Sequence, residues 1–201
     1  MIRLAILISG SGTNLQAIID AISSGRLDAS VELVISSRPD AYGLERAAAA
    51  GITTVALSRA DYEDAMQADR LIVDKVQAAG CDYIVLAGYM RKVLPPLLEG
   101  FPGRIINLHP ALLPSFAGDQ GIADAWRRGV KITGVTVHFV NANYDEGPII
   151  AQRAVRVLED DSIESLTERI HAVEHELLPE VLQLISEQRV LLTESGRVSI
   201  L

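Results

Sequence analysis

Leu4-Ala5-Ile6-Leu7-Ile8-Ser9-Gly10-Ser11-Gly12-Thr13-Asn14 opens the chain and decides how the rest is read. Five consecutive apolar residues make a run of strand length, far short of a membrane span. Two glycines then permit a tight turn, and the next residues begin a helical pattern. The amides at that helix start point at whatever lies above the sheet, which makes the turn an anion site. No Gly-Lys-Ser/Thr follows, so it is not a Walker loop. Leu15 stands where a dinucleotide fingerprint wants a third small residue, and Ser36-Ser37-Arg38 places no acid for a ribose. The hydroxyls of Ser11 and Thr13 and the amide of Asn14 suit a terminal phosphate monoester.

Outward from this turn, strand and helix signals alternate. Strands are predicted near residues 2–8, 31–36, 53–57, 83–87 and 104–108, and helices near 13–23, 42–50, 60–79 and 91–99. Pro95-Pro96 should cut or kink the last of these. Such alternation implies a mostly parallel sheet covered by helices on both faces, a doubly wound α/β fold. Further on, a loop from Pro110 leads to a short helix around 122–129. Strands follow at Lys131–Val140 and Pro148–Val157, then a long helix from about Ser162 to Glu187 and a small C-terminal hairpin around Ser195-Gly196. No repeat or linker divides residues 1–201, so one domain is expected.

Composition narrows the function classes. The chain has 201 residues, 49% of them hydrophobic, and a formal net charge of −8. That balance argues against broad nucleic-acid or membrane-surface binding. A single cysteine, Cys81, allows no internal disulfide, and Met1-Ile2-Arg3 runs straight into the first strand without a signal-peptide pattern. A cytoplasmic protein handling small molecules is expected.

Asn107-Leu108-His109-Pro110 carries the densest chemistry. Asn107 and His109 are two residues apart, so in extended backbone they point the same way. With Asp145 from the turn Tyr144-Asp145-Glu146-Gly147-Pro148, they supply a neutral donor, a titratable acid/base and an anion. Those are the parts that stabilise a tetrahedral acyl-transfer intermediate and move its protons. Gly88-Tyr89-Met90-Arg91-Lys92-Val93 follows a strand and so falls at the sheet's carboxyl edge, where ligands bind. His171-Ala172-Val173-Glu174-His175 superficially matches a zinc helix, but no third ligand is marked. A solvated face is the plainer reading for His171, and Glu174 can reach into a cleft to meet an amine.

Taken together, these segments resemble the glycinamide ribonucleotide transformylase family of folate-dependent formyltransferases. The resemblance rests on Leu7–Gln16, Leu86–Arg91, Asn107–Pro114, Gly134–Val140, Asp145–Ile150 and Glu174-His175, and covers nearly the whole chain. It implies a Rossmann-like formyltransferase fold and 10-formyltetrahydrofolate as co-substrate, donating a formyl group to the glycine amine of glycinamide ribonucleotide, with no metal. It also implies a catalytic trio of Asn107, His109 and Asp145, and Gly12, Thr13, Asn14 and Glu174 as nucleotide ligands. Met90, Arg91, Lys92, Val93, Asn107 and the turn Asn141, Ala142, Asn143, Tyr144, Asp145 would bind folate. A monomer or homodimer is expected. Alternatives within the resemblance are a formyltetrahydrofolate deformylase-like hydrolase and a non-catalytic nucleotide-binding module of the same fold. With the first strand at the start of the sequence and the last helix near its end, the extra domains of a deformylase or a methionyl-tRNA formyltransferase are not expected.

Two departures from the family pattern stand out. Ala117 and Gln120 occupy positions usually filled by Pro and His. Asp64-Ala65-Met66-Gln67 lacks an expected basic residue, for which Arg59 or Arg70 are the available substitutes.

Overall fold

The computed structural model describes residues 1–193 and 195–201. Seven strands form one sheet: β1 (Ile2–Ile8), β2 (Ala29–Ser36), β3 (Thr53–Ala56), β4 (Tyr83–Leu86), β5 (Ile105–His109), β6 (Ile132–Phe139) and β7 (Ile149–Arg156), in the order β3-β2-β1-β4-β5-β6-β7. The first five pair in parallel. β6 and β7 return antiparallel at one side, with Asn107 opposite His138. β1 sits between β2 and β4, so the strand order reverses beside it. That is where the loops leaving neighbouring strands diverge and open a crevice.

The helices are α1 (Thr13–Ser23), α2 (Tyr42–Ala49), α3 (Ala65–Ala78), α4 (Pro95–Gly100), α5 (Gly121–Arg128) and α6 (Ile163–Ser186). Side chains of the same strands feed two cores. Leu4, Ile6 and Ile8 point into one with α1 and α6, whereas Ala5 and Leu7 point into the other with α3 and α4. β1 is fully buried from Leu4 to Ile8, which is why its apolar run is continuous rather than alternating. The antiparallel hairpin β8 (Val190–Leu192) and β9 (Val198–Ile200) closes the chain. Glu194, part of the sequence predicted for that hairpin, lies outside the described residues.

Two predicted helices are corrected. The stretch 60–79 is a 3-10 turn at Ala60–Tyr62 followed by α3, because Asp64 caps α3 with its carboxylate on the Met66 and Gln67 amides. The stretch 91–99 is helical only from Pro95. Pro95-Pro96 starts the helix instead of cutting it, since proline fits the first turn, where no backbone donor is required. Residues 88–94 are therefore an irregular loop at the crevice. Among the described residues, no helix is long and apolar enough to cross a membrane.

Gly134 fixes how closely β6 and β7 pack: a Cβ there would overlap the Arg153 carbonyl and lie 2.6 Å from Leu112 Cδ2. Gly134→Ala is expected to destabilise the protein by about 1–3 kcal/mol, the usual range for an overpacked core. Urea unfolding measures it, and an unchanged midpoint would show that the strands shift apart freely.

Candidate active site

The carboxyl edge of β1, β4 and β5 carries the site. β1 ends in Ser9–Gly12, and Gly12 takes the left-handed conformation (φ 70°) at the start of α1. It lies so close to α2 that a Cβ on Gly12 would sit 2.6 Å from the Gly43 Cα. Two bare backbones thus meet, leaving the first amides of α1 facing the crevice. Arg46 of α2 donates through Nε to the Ser11 carbonyl at 2.9 Å and braces this turn from behind.

A cleft of about 530 Å³ runs from that turn across the sheet edge to α6. Gly12, Thr13 and Asn14 line one end with Glu174, and Asn107, His109 and Asp145 line the other. A second cavity of about 50 Å³ adjoins it, lined by Arg91, Lys92, Val93 and the turn Asn141, Ala142, Asn143, Tyr144, Asp145. Asn107 and Asp145 line both cavities, whereas Met90 faces the larger one. The trio and the residues expected to meet nucleotide and folate are thus gathered at one edge, in two groups that meet at the trio. The Arg91 guanidinium turns away from the trio and lies 4.4 Å over the Tyr62 ring. Arg59 lines neither cavity; it flanks a surface groove with Arg38 and Arg91. At about 50 Å³ the second cavity is far below the roughly 300 Å³ and upward of ordinary ligand sites.

Asp145 is the hub. Its side chain is 5% exposed and its Oδ2 lies 3.5 Å from His109 Nδ1. The Gly118 amide donates to Oδ2 at 2.9 Å, and Asn107 Nδ2 lies 3.5 Å from Oδ1. Asp145 takes a left-handed backbone (φ 55°), tolerated by Asp and Asn better than by most residues. His109 Nε2 donates to the Phe116 carbonyl at 2.8 Å. Both ring nitrogens of His109 thus face acceptors, an arrangement that only imidazolium, with two N–H groups, satisfies fully.

His138 is the residue that sequence reading missed. Its Nδ1–H donates to the Phe139 carbonyl at 2.9 Å, which leaves Nε2 as acceptor for Asn107 Nδ2 at 3.2 Å. Burial pushes its pKa below the ordinary histidine value, consistent with a neutral ring. His138 therefore fixes which way the Asn107 amide faces. The signal was available in the cross-strand pairing of Asn107 with His138, which becomes readable only once β6 is known to return antiparallel beside β5.

On α6, Glu174 shares the inward stripe with Leu166, Ile170, Leu177 and Leu178. It is 4% exposed, and burial raises its pKa, with the Asn14 amide (2.9 Å from Oε2) opposing that shift. A buried carboxylate facing a cleft is a receptor for a cationic or hydrogen-donating group. His171, expected on a solvated face, also lines the cleft; its ring stacks on that of His175, 6.3 Å away. The helix positions it one turn before Glu174, on the same side. Among the described residues, no group of three His, Cys, Asp or Glu side chains is placed to hold a metal.

A glycine turn with free amides, the Asn107–His109–Asp145 cluster and a buried carboxylate thus meet at one sheet edge. The chain belongs to the formyl transferase family, whose pattern matches residues 2–182. It is 39% identical to phosphoribosylglycinamide formyltransferase of Bacillus subtilis, over 91% of this chain and 94% of that protein. The enzyme of the same name from Haemophilus influenzae is 41% identical over 97% of this chain and 92% of its own length. A crystal structure of glycinamide ribonucleotide transformylase 1 from Symbiobacterium toebii superposes with a TM-score of 0.97 at 51% identity, covering 100% of this chain and 94% of that one.

Because the folded pKa of His138 lies below its unfolded value of 6.5, the unfolded state binds more protons there as pH falls. His138 thus weakens the fold progressively on acidification through 6.5. The stability gap between the parent and His138→Asn is expected to narrow as pH falls from 8 to 5. A gap that stays constant in pH-resolved urea melts would mean the ring is not held neutral.

Proposed function

We propose that the chain transfers the formyl group of 10-formyltetrahydrofolate to the glycine amine of glycinamide ribonucleotide, a step of purine biosynthesis. The observation that carries this reading is the placement of Asn107, His109 and Asp145 where the two cavities meet, with the Glu174 carboxylate inside the larger one. The nucleotide's phosphate is held by the amides from Gly12 to Asn14, and Glu174 meets the glycinamide end. The donor's ring occupies the space between residues 90–93 and 141–145.

The neutral amine attacks the formyl carbon, forming a C–N bond and a tetrahedral oxyanion. The Asn107 amide, aimed by His138, and the His109 imidazolium donate to that oxygen. Asp145 stabilises the imidazolium and, through water, relays the proton lost by the amine to the leaving nitrogen of the folate. Cleavage of the donor's C–N bond then gives formylglycinamide ribonucleotide and tetrahydrofolate. A neutral amide, an imidazolium and a buried carboxylate act here together, fixed in place before the reaction, which is where electrostatic stabilisation is most effective.

A folate absorbance assay with and without the nucleotide tests the reading. Turnover only with the nucleotide is expected; turnover without it would make the chain a deformylase, and none in either case a non-catalytic module. Asp145→Asn keeps a residue that tolerates the left-handed backbone and removes only the charge, so kcat should fall on the order of 10²–10³-fold while both substrates still bind. Near-parent turnover would reduce Asp145 to a turn former. The nucleotide end is best probed at Asn14, because a side chain at Gly12 would collide with α2. Asn14→Asp puts a second carboxylate against Glu174 and near the phosphate. It should raise the nucleotide KM about tenfold or more and leave the donor KM nearly unchanged.

A further inference from the structure

The loop 88–94 has no helix or strand of its own, yet it must present Met90 to one cavity and Arg91 to Val93 to the other. It is tethered at three points. The Met90 amide donates to Ser9 Oγ at 2.8 Å, and that hydroxyl lies 2.6 Å from Ser37 Oγ, so the ends of β1 and β2 hold the start of the loop. The Tyr89 and Tyr62 hydroxyls meet at 2.9 Å. At the far end, the Leu94 amide donates to Asp69 Oδ2 at 2.7 Å.

The third tether is the unusual one. Asp69 comes from α3, which lines neither cavity, and it is 2% exposed beside Ala68, Ile72 and Val76 on the inward face of that helix. Burial pushes its carboxyl up to about 6, and the Leu94 amide is the one influence opposing that rise. No cation pairs with it among the described residues. A carboxylate in such a place is unfavourable compared with an apolar residue, so fold stability does not account for it. Its single strong contact is the backbone where the folate-side loop turns into α4.

We propose that Asp69 is a positioning residue for the formyl donor: by fixing the Leu94 amide, it sets the backbone of Met90 to Val93 against the donor's ring. The inference rests on the reading that places the donor between residues 90–93 and 141–145. Asp69 itself touches no substrate. Tethered at Ser9, Tyr62 and Asp69, the loop is held to parts of the fold outside the site. Its spacing from the 141–145 turn is therefore a property of α3 as much as of the site.

Steady-state kinetics of the full-length chain separate the possibilities, comparing Asp69→Leu, Asp69→Asn and, as a direct probe of the lining, Val93→Glu. Asp69→Leu strands a buried N–H and is expected to raise the donor KM about tenfold, leaving the nucleotide KM and the kcat at saturating donor near the parent values. Asp69→Asn keeps an oxygen that accepts from Leu94 and should restore most of the donor affinity. Should Asp69→Leu fail to fold, Asp69→Ser, too short to reach Leu94 but able to admit water, takes the same test with the same expectation. A parent-like donor KM in the Asp69 variants, with Val93→Glu raised, overturns the proposal and leaves the donor site standing. Parent-like values in all of them overturn the donor site and the proposal together. Equal rises in both substrates' KM, or no rescue by Asn, assign Asp69 a general structural role and overturn the proposal.

Discussion

The carboxylate of Asp145 is withdrawn from water and surrounded by His109, Asn107, His138 and the Gly118 amide. A buried anion is tolerable only when its partners are present together. Those partners come from β5, from β6 and from the loop before α5, so three separate segments must converge before the turn at 145 can settle. β6 ends beside the first residues of β5, with Phe139 opposite Ile106, and the turn that follows folds back so that Asp145 lies against Asn107 and His109. The parallel half of the sheet supplies the loops that line the cleft, and the turn after β6 supplies the buried carboxylate beside them.

Much of this was legible in the residues themselves. Leu4 to Ile8 and Tyr83 to Leu86 are continuous apolar runs because helices cover both faces of their strands, and α1 has the predicted bounds. Asn107 and His109 could be paired by alternation alone. What could not be read was register across strands. His138 acts through its pairing with Asn107, a relation between strands about thirty residues apart, and periodicity within one strand carries no trace of it. Nor could composition distinguish a proline pair that stops a helix from one that starts it. That depends on whether the preceding residues are needed elsewhere, and residues 88–94 are taken up by three tertiary hydrogen bonds.

The stretch Phe116–Gly121 is engaged with the site through its backbone. The Phe116 carbonyl accepts from His109, and the Gly118 amide donates to Asp145. Main-chain groups make these contacts whatever side chains are attached, so the side chains of Ala117 and Gln120 are free to vary without dismantling the trio. Phe116 holds a left-handed backbone (φ 55°) to turn its carbonyl inward, a conformation bulky residues seldom adopt. The strained residue is thus the one whose carbonyl holds the His109 ring.

The seat of Gly12 against Gly43 has a consequence for how this site can vary. Neither glycine offers a side chain to the cleft, and Gly43 lies behind the turn, on α2. Yet any atom added at either position occupies the space of the other's backbone or its neighbours. Their tolerances are therefore epistatic, since residues in direct contact do not contribute additively. The mutational freedom of the anion-binding turn is set from a helix that never meets the ligand. A redesign of the turn that treats α2 as inert scaffold would meet the Gly43 backbone before it reached the cleft.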